Sequence, residues 1–485
     1  MQQLSTDLDS LAPMNLEDFL AMMPADLGDI VVPASRALQL RRVSKRTRAA
    51  VARLQCRVDV LPGKMIRQQY ANDKSILQER RAAVRLFVMR SVRLCMSDFR
   101  IRSFTLHGMV VDGTVSFITM LQYAQGLEVL DLYNNHIPEH MLGNVLAEVP
   151  ASLKVLRLTR QWINRAAVTP LCALLTRLTQ LEELDLSENY LNSSGMGAIT
   201  ASVSSPRLAH MTLGFNHLKS RFWNEHPELG LDRFVLTTLD LRHNMLQAVY
   251  CDSMYACVRG SAAVLQTLDL SYNDLRIVGI SYLSNALQPC RTLRHLNIAG
   301  NLCGDAALAL LLAAVRPREN QQCMALESLD VAHNDLTCAG ARSFSRCLSE
   351  NLTLQRSLTS VSFANNDLHD AGAVLVIEAL LPCPVTKLNL AQCKMGETAG
   401  LSLAGTMLHW PALETLDVHG NHLCSTSLLL LAGTMSDNGS STKHMQFIGN
   451  WILSDLNEQM ETILQNGRVS HGFVQRHTPR ALARA

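Results

Sequence analysis

What this 485-residue sequence lacks narrows its possibilities before any motif is considered. The longest uninterrupted apolar run, AALALLLAAV at 306–315, is about half of what a membrane-spanning helix needs, so no membrane span is expected. The first 35 residues hold six acidic side chains (Asp7, Asp9, Glu17, Asp18, Asp26, Asp29) and no Lys or Arg, the reverse of a secretory or transit peptide. None of the thirteen cysteines forms a C-x-x-C pair, and an odd number cannot all pair within one chain. The expectation is reduced thiols in an intracellular protein, cytoplasmic with the nucleus left open, most of them acting as small core residues. The N-x-S/T sequons at Asn192, Asn351 and Asn438 are then expected to stay unmodified.

Catalytic phrases are missing as well. There is no G-x-x-x-x-G-K-[ST] loop, and LPGK at 61–64 lacks the preceding glycine and the following hydroxyl. His136 and His140 are four apart, but Pro138 lies between them and no Glu follows the first His, as a zinc helix requires. His419 and His422 fall across a turn, so both pairs are read as surface residues. No G-x-S-x-G elbow exists for a serine nucleophile. No cofactor, metal or catalytic residue is implied, and no enzyme is expected.

What the chain does have is apolar and repeated. Hydrophobic residues make up 48%, enough for a core, and the net charge of +2 hides a division. Residues 36–100 hold seventeen Lys/Arg against four acids, a balance of +13 that leaves −5 from residue 101 onward. From 101 the pattern L-x-x-L-x-L-x-x-N recurs, starting at 101, 127, 153, 181, 208, 236, 265, 293, 326, 358, 385, 413 and 442. Spacings are mostly 26–29 residues, with 33 and 32 around the ninth copy. The ninth position is Asn in ten copies, and Met109, Gln161 and Cys393 are the departures. A fixed period in the twenties with this phrase is the signature of leucine-rich repeats.

The physics of the phrase is legible. In LQTLDLSYN the alternation around Leu268 and Leu270 makes a short strand with both leucines inward. The Asn side chain donates and accepts, so stacked copies can satisfy the backbone groups of successive turns. GISYLSNAL at 279–287 then places Leu283, Ala286 and Leu287 at helical spacing. The expected fold is α/β: a solenoid, or horseshoe, of about thirteen strand–turn–helix units with a parallel inner sheet, after a small helical N-terminal module. Repeats of this length with a full helix resemble the ribonuclease-inhibitor-like subclass. LTSVSFANNDLHDAGAVLVIEAL from Leu358 is similar to repeats of the NOD-like receptors and of Ran GTPase-activating protein. The phosphate-binding loop that NOD-like receptors carry is absent from this sequence. Cys172, Cys290, Cys347 and Cys383 all end repeats, where small buried residues belong.

The alternation sends the second, third, fifth, seventh and eighth positions outward. The fifth is Asp in six copies (Asp131, Asp185, Asp240, Asp269, Asp330, Asp417), either a common feature of such strands or a row attracting a basic partner. The candidate partner-binding residues are Tyr133, Arg157, Arg160, Trp162, Glu188, Phe215, Arg242, His243 and Tyr272, since exposed aromatics and arginines anchor interfaces. They form one expected patch, free of any task in holding the fold. The third copy, LKVLRLTRQWI, departs most from the rule.

Domains are expected at 1–100 (helical module), 101–466 (repeats) and 467–485 (basic flexible tail). Within 23–51, MPADLGDIVVPASRALQLRRVSKRTRAAV resembles an F-box, the module that docks on the adaptor of a Cullin–RING ubiquitin ligase. Met23 and Pro24 match its opening Leu-Pro pair, Ile30, Leu38, Leu40 and Val43 its apolar positions, and RRVSKRTR its basic close. The alternative is a helical cap for the first repeat, with helices at 16–22 and 76–96. Tyr70, Phe87 and Phe99 are the only aromatics in the basic segment, too few for a nucleic-acid stacking platform. The expectation is a monomeric, non-catalytic scaffold holding a protein on its concave face. A ubiquitin-ligase substrate receptor and a GTPase regulator are the alternatives. The regulator is ranked last because the repeats begin near 101 and the tail is basic.

Overall fold

The structure, a computed structural model, describes residues 55–60, 100–107, 114–135, 137, 139–218, 230–247, 252–316, 324–437, 444–447, 449–450 and 470–471. The F-box-like residues Met23, Pro24, Ile30, Leu38, Leu40 and Val43 lie outside these. So do the helices expected at 16–22 and 76–96, and all of 467–485 except Ser470 and His471. The chain divides into two compact units, Met1–Asn189 with Ser202–Arg207, and Tyr190–Ala201 with Leu208–Ala485.

In the first unit, β1 (Gln55–Val60), β2 (Arg100–His107), β3 (Val129–Tyr133), β4 (Val155–Thr159) and β5 (Glu183–Asp185) are parallel and follow chain order. The second unit repeats the arrangement through β6 (His210–Thr212), β7 (Thr238–Asp240), β8 (Thr267–Asp269), β9 (His295–Asn297) and β10 (Ser328–Asp330). It continues through β11 (Ser360–Ser362), β12 (Lys387–Asn389), β13 (Thr415–Asp417), β14 (His444–Gln446) and β15 (Ser470–His471). Strands alternate with helices, and each described strand from β2 to β14 belongs to one copy of the phrase. This is a leucine-rich-repeat solenoid, as the period implies. β1 and β15 add a parallel strand beyond the thirteen copies at either end.

The fourth and sixth positions face the core: Leu268 and Leu270 are fully buried, as are Leu283, Ala286 and Leu287 on the helix Arg276–Leu287. The long ninth copy spends its extra residues on a second helix, Leu352–Ser357. Asn351 caps that helix by accepting from the Leu354 N–H at 3.0 Å, and it is fully buried, so a glycan there is incompatible with the fold. Cys290, Cys347 and Cys383 are buried as expected, whereas Cys172 is half-buried. Burial pushes the thiols of Cys257 and Cys290 up to about 11, and those of Cys303, Cys383 and Cys393 up to about 12. Such thiols stay protonated at neutral pH and are poor nucleophiles.

The asparagine ladder forms, and its wiring is specific. Asn273 Oδ1 accepts the N–H groups of Asn244 (3.0 Å) and Leu246 (3.3 Å) in the preceding repeat. Its Nδ2 donates to the carbonyls of Leu241 at 2.9 Å, Leu270 at 3.0 Å and Ser271 at 3.2 Å. One amide thus closes its own turn and completes the one before it. Cys393 keeps the donor role, with Sγ 3.2 Å from the Phe363 carbonyl, and its sulfur also takes a backbone bond from Asn366. Gln161 also donates, to Leu132 (2.9 Å) and Thr159 (3.1 Å), while its buried Oε1 has no partner.

Among the described residues no helix is long and apolar enough to cross a membrane.

Candidate functional site

The fifth-position carboxylates have a local task. Asp185, Asp240, Asp269, Asp330 and Asp417 each accept the backbone N–H two residues on, at 2.8–3.1 Å. Asn297 and Asn389 do the same at 3.0 Å, so the strand end needs a side-chain oxygen there and not a charge. The frequency of L-D-L follows from turn geometry.

The seventh position is corrected in part. Tyr133 and Thr159, which end β3 and β4, and Arg242 face outward as alternation implies. Ser187, Ser271, Ala299, Ala332, Ala364 and Ala391 are instead buried. In those copies alternation stops at the sixth residue, and Ala299, Ala332, Ala364 and Ala391 cluster together. A Cβ on Gly214 would meet Arg242 Cγ at 2.9 Å, so the seventh side chains of neighbouring copies lie close together.

The eighth position is left-handed wherever it is described: Asn134, Arg160, Glu188, Phe215, His243, Tyr272, His333, Asn365 and Gln392 have φ of 50–58°, and Gly300, Gly420 and Gly449 have φ of 63–79°. This keeps the ladder running past the strand, since the Tyr272 N–H reaches the Ala299 carbonyl at 2.7 Å and the His243 N–H that of Ser271 at 2.8 Å. Glycine adopts this conformation freely, whereas a bulky side chain is strained by about 1–2 kcal/mol. Phe215, His243 and Tyr272 therefore occupy sites where glycine serves better.

In the first unit, Arg157 on β4 lies between two neighbours. Its Nε is 2.6 Å from Glu183 Oε1 on β5, and its Nη1 is 3.4 Å from Asp131 Oδ2 on β3. Burial works to lower its pKa, but the two carboxylates outweigh it and hold the guanidinium above its ordinary value. Arg160 Nη1 lies 3.8 Å from Glu188 Oε2. Both arginines therefore tie adjacent repeats together, which corrects the expectation that they are free of structural work. Trp162 is 55% exposed, with φ of 58°, and Tyr133 ends β3 half-buried.

In the second unit the eighth-position rings form a stack. The Phe215 and His243 ring centroids are 4.1 Å apart at 12°, and His243 and Tyr272 are 4.2 Å apart at 13°. Tyr272 continues toward His333 at 5.8 Å, leaning over Gly300, where an added Cβ would come within 2.4 Å of the ring. Phe215 and Tyr272 remain 39% and 40% exposed. Arg242 lies over Phe215 at 5.9 Å from its centroid. Burial, then the neighbouring Arg242 charge, lowers the His243 pKa against the pull of Asp269, so the imidazole is neutral at physiological pH. A second pair, Tyr190 and His217, stacks at 5.6 Å, and the sequence reading passed over it.

The expected patch therefore falls into Tyr133, Arg157, Arg160, Trp162 and Glu188 in the first unit, and Phe215, Arg242, His243 and Tyr272 in the second. Among the described residues no group of three or more His, Cys, Asp or Glu is arranged to hold a metal. His419 instead lies 2.7 Å from Asp417.

Comparison with known proteins agrees with this architecture. A family model described as Leucine Rich repeat matches residues 262–284 and 322–345. Ribonuclease inhibitor of Sus scrofa is 24% identical over 351 residues, 71% of this chain and 63% of its own length. NACHT, LRR and PYD domains-containing protein 14 of Mus musculus is 26% identical over 289 residues, 59% of this chain and 28% of its own length. The chain spans less than two thirds of the length of these relatives. A solved chain of the Rad7 and Elc1 complex in yeast covers 79% of this chain and 89% of its own, at 16% identity and a TM-score of 0.48. The repeated phrase, the parallel sheet it builds and these matches agree: the chain folds as a leucine-rich-repeat solenoid and is similar in sequence to ribonuclease inhibitor.

Proposed function

We propose that the chain is a non-catalytic recognition scaffold that holds a protein partner on the concave face of its sheet. Leucine-rich repeats present extended binding surfaces of this kind. The observation that supports it here is the Phe215–His243–Tyr272 stack: three aromatic side chains in left-handed positions where Gly300, Gly420 and Gly449 serve other repeats. Strain kept at a surface, on side chains suited to interface anchoring, points to recognition.

The test is affinity capture with the full chain, and with a Phe215→Asn, His243→Asn, Tyr272→Asn variant. Asn tolerates the left-handed conformation, so the variant should melt close to the parent. The partner captured by the parent should be lost with the variant. Equal capture by both would remove the stack from the reading.

A second reading rests on residues 23–51, where the F-box-like RRVSKRTR segment supports docking on a Cullin–RING ligase adaptor. Leu38→Asp with Val43→Asp should abolish adaptor co-purification, and absence of adaptor from the parent retires this reading.

A further inference from the structure

One corner of the stack already holds a cation, and beside it a ring and two carboxylates recur in another register, on either side of Asn297, without one. Arg242, at a seventh position, lies over the Phe215 ring at 5.9 Å while its Nε sits 3.4 Å from Asp240 Oδ2. An eighth-position ring and a fifth-position carboxylate thus grip a guanidinium between them. Further along, Tyr272 supplies a ring, and Asp269 and Asp330 supply carboxylates. The seventh positions there are Ser271, Ala299 and Ala332, too short and uncharged to fill the same role.

The carboxylates are placed for such a guest. Asp269 on β8 and Asp330 on β10 flank Asn297 on β9 in register, and Asp269 Oδ2 accepts from Asn297 Nδ2 at 3.1 Å. Among the described residues no Lys or Arg forms an ion pair with either carboxylate. Burial, with a further push from Asp269, raises the Asp330 pKa, against bonds from the Ala332 N–H and the Ser362 hydroxyl and the pull of His333. The Tyr272 ring lies over Gly300, of the copy that carries Asn297, and its centroid is 5.8 Å from that of His333, of the copy that carries Asp330, so ring and carboxylates share one neighbourhood. Gly300 leaves the Tyr272 ring free to lie across the sheet.

We propose that Tyr272, Asp269 and Asp330 form a docking site for an arginine side chain of a partner protein, which takes the place that Arg242 holds at Phe215 and Asp240. The inference rests on the proposed recognition role and gives it a chemistry. A planar, weakly hydrated guanidinium can stack on the ring and present paired N–H donors to carboxylates. A lysine ammonium lacks the plane. Nucleic acid, which would also stack, is repelled by the carboxylates.

Binding of a capped hexa-arginine peptide, a capped hexalysine peptide and a single-stranded twelve-residue oligothymidylate to the full chain tests this by fluorescence anisotropy at low salt. Hexa-arginine should bind several-fold more tightly than hexalysine, and the oligothymidylate should neither bind nor compete. Tyr272→Asn and Asp330→Asn should each weaken hexa-arginine about tenfold. Asp417→Asn, the same change three strands away, should stay within about twofold. Melting no lower than the parent's keeps a binding loss from being read as unfolding. Equal binding by parent, Tyr272→Asn and Asp330→Asn, or an equal loss in Asp417→Asn, overturns the site, as does competition by the oligothymidylate. If hexa-arginine ignores these variants while partner capture still depends on the stack, the arginine site falls and protein recognition stands. If neither depends on the stack, both fall.

Discussion

Replacing Asn273 with Ala removes five hydrogen bonds, but they are not of equal weight. The carbonyls of Leu241, Leu270 and Ser271 each keep another donor: Asn244 Nδ2, Asn301 Nδ2 and the His243 N–H respectively. The N–H groups of Asn244 and Leu246 have no such reserve, since both point at Asn273 Oδ1 and both residues are buried. Each orphaned buried donor costs about 1–3 kcal/mol, so the substitution should destabilise by about 2–5 kcal/mol after partial relaxation. The damage should appear in the preceding repeat. Urea unfolding followed by circular dichroism gives the total, and amide exchange at Asn244 and Leu246 locates it. Asp274 next door has φ of 56°, so the control is Asp274→Asn, which tolerates that conformation, weakens only the exposed Asp274–Arg276 pair (Oδ1 to Nε 2.8 Å) and should change stability by less than about 0.5 kcal/mol. A loss below about 1 kcal/mol for Asn273→Ala, or protection lost only at residues after 273, would refute the reasoning.

Three further outcomes follow from the same geometry. Leu270→Ala, at a fully buried inner position, should cost about 2–5 kcal/mol by cavity formation, and a melting shift near zero would place Leu270 off the core. Arg157→Ala should cost about 0.5–1.5 kcal/mol, because the Glu183 and Asp131 pairs are half-exposed, and the loss should shrink in high salt; a salt-independent loss would point to packing instead. For Asp330 the folded carboxyl is raised above its unfolded value, so the native state binds more protons between the two and stability falls as pH rises through that window. Asp330→Asn keeps the turn bond that Asn297 and Asn389 make at 3.0 Å, so it should raise stability at neutral pH and lose that advantage below the ordinary carboxylate range. A variant less stable than the parent at pH 7 would contradict this.

The fold was legible because its determinants are periodic. The inward leucines and the ninth-position asparagines are fixed by spacing alone, and the structure wires them as spacing implies. What escaped the sequence reading begins where the strand ends. Alternation holds from the second to the sixth residue and fails at the seventh in the copies with Ser or Ala there, and nothing in a single copy announces the change. A signal existed in the set: glycine at the eighth position in the copies starting at 101, 293, 413 and 442, left-handed at Gly300, Gly420 and Gly449. Arg157 looked free because its partners belong to other copies, Asp131 at a fifth position and Glu183 at a third. Such pairs become visible only once neighbouring strands are laid side by side. The ring stack is of the same kind, a property of register and not of any one phrase.

The wiring of the ladder also gives the array a sense of time. Asn189, Asn273, Asn301, Asn334, Asn366 and Asn421 each lend their oxygen backward, to two N–H groups of the repeat made just before, so those repeats leave the ribosome with two turn N–H groups that only the successor can satisfy. Completion therefore lags synthesis by one repeat, about 28 residues along most of the array. A nascent chain paused mid-array should hold one immature turn at its growing end, whatever its length. Erosion from that same end should strand turn N–H groups wherever the lost repeat held such an asparagine, whereas in the turns erosion from the other end bares the asparagine oxygens, acceptors that water satisfies readily. The molecule is a polymer with unlike ends, ratcheted in the direction in which it is made.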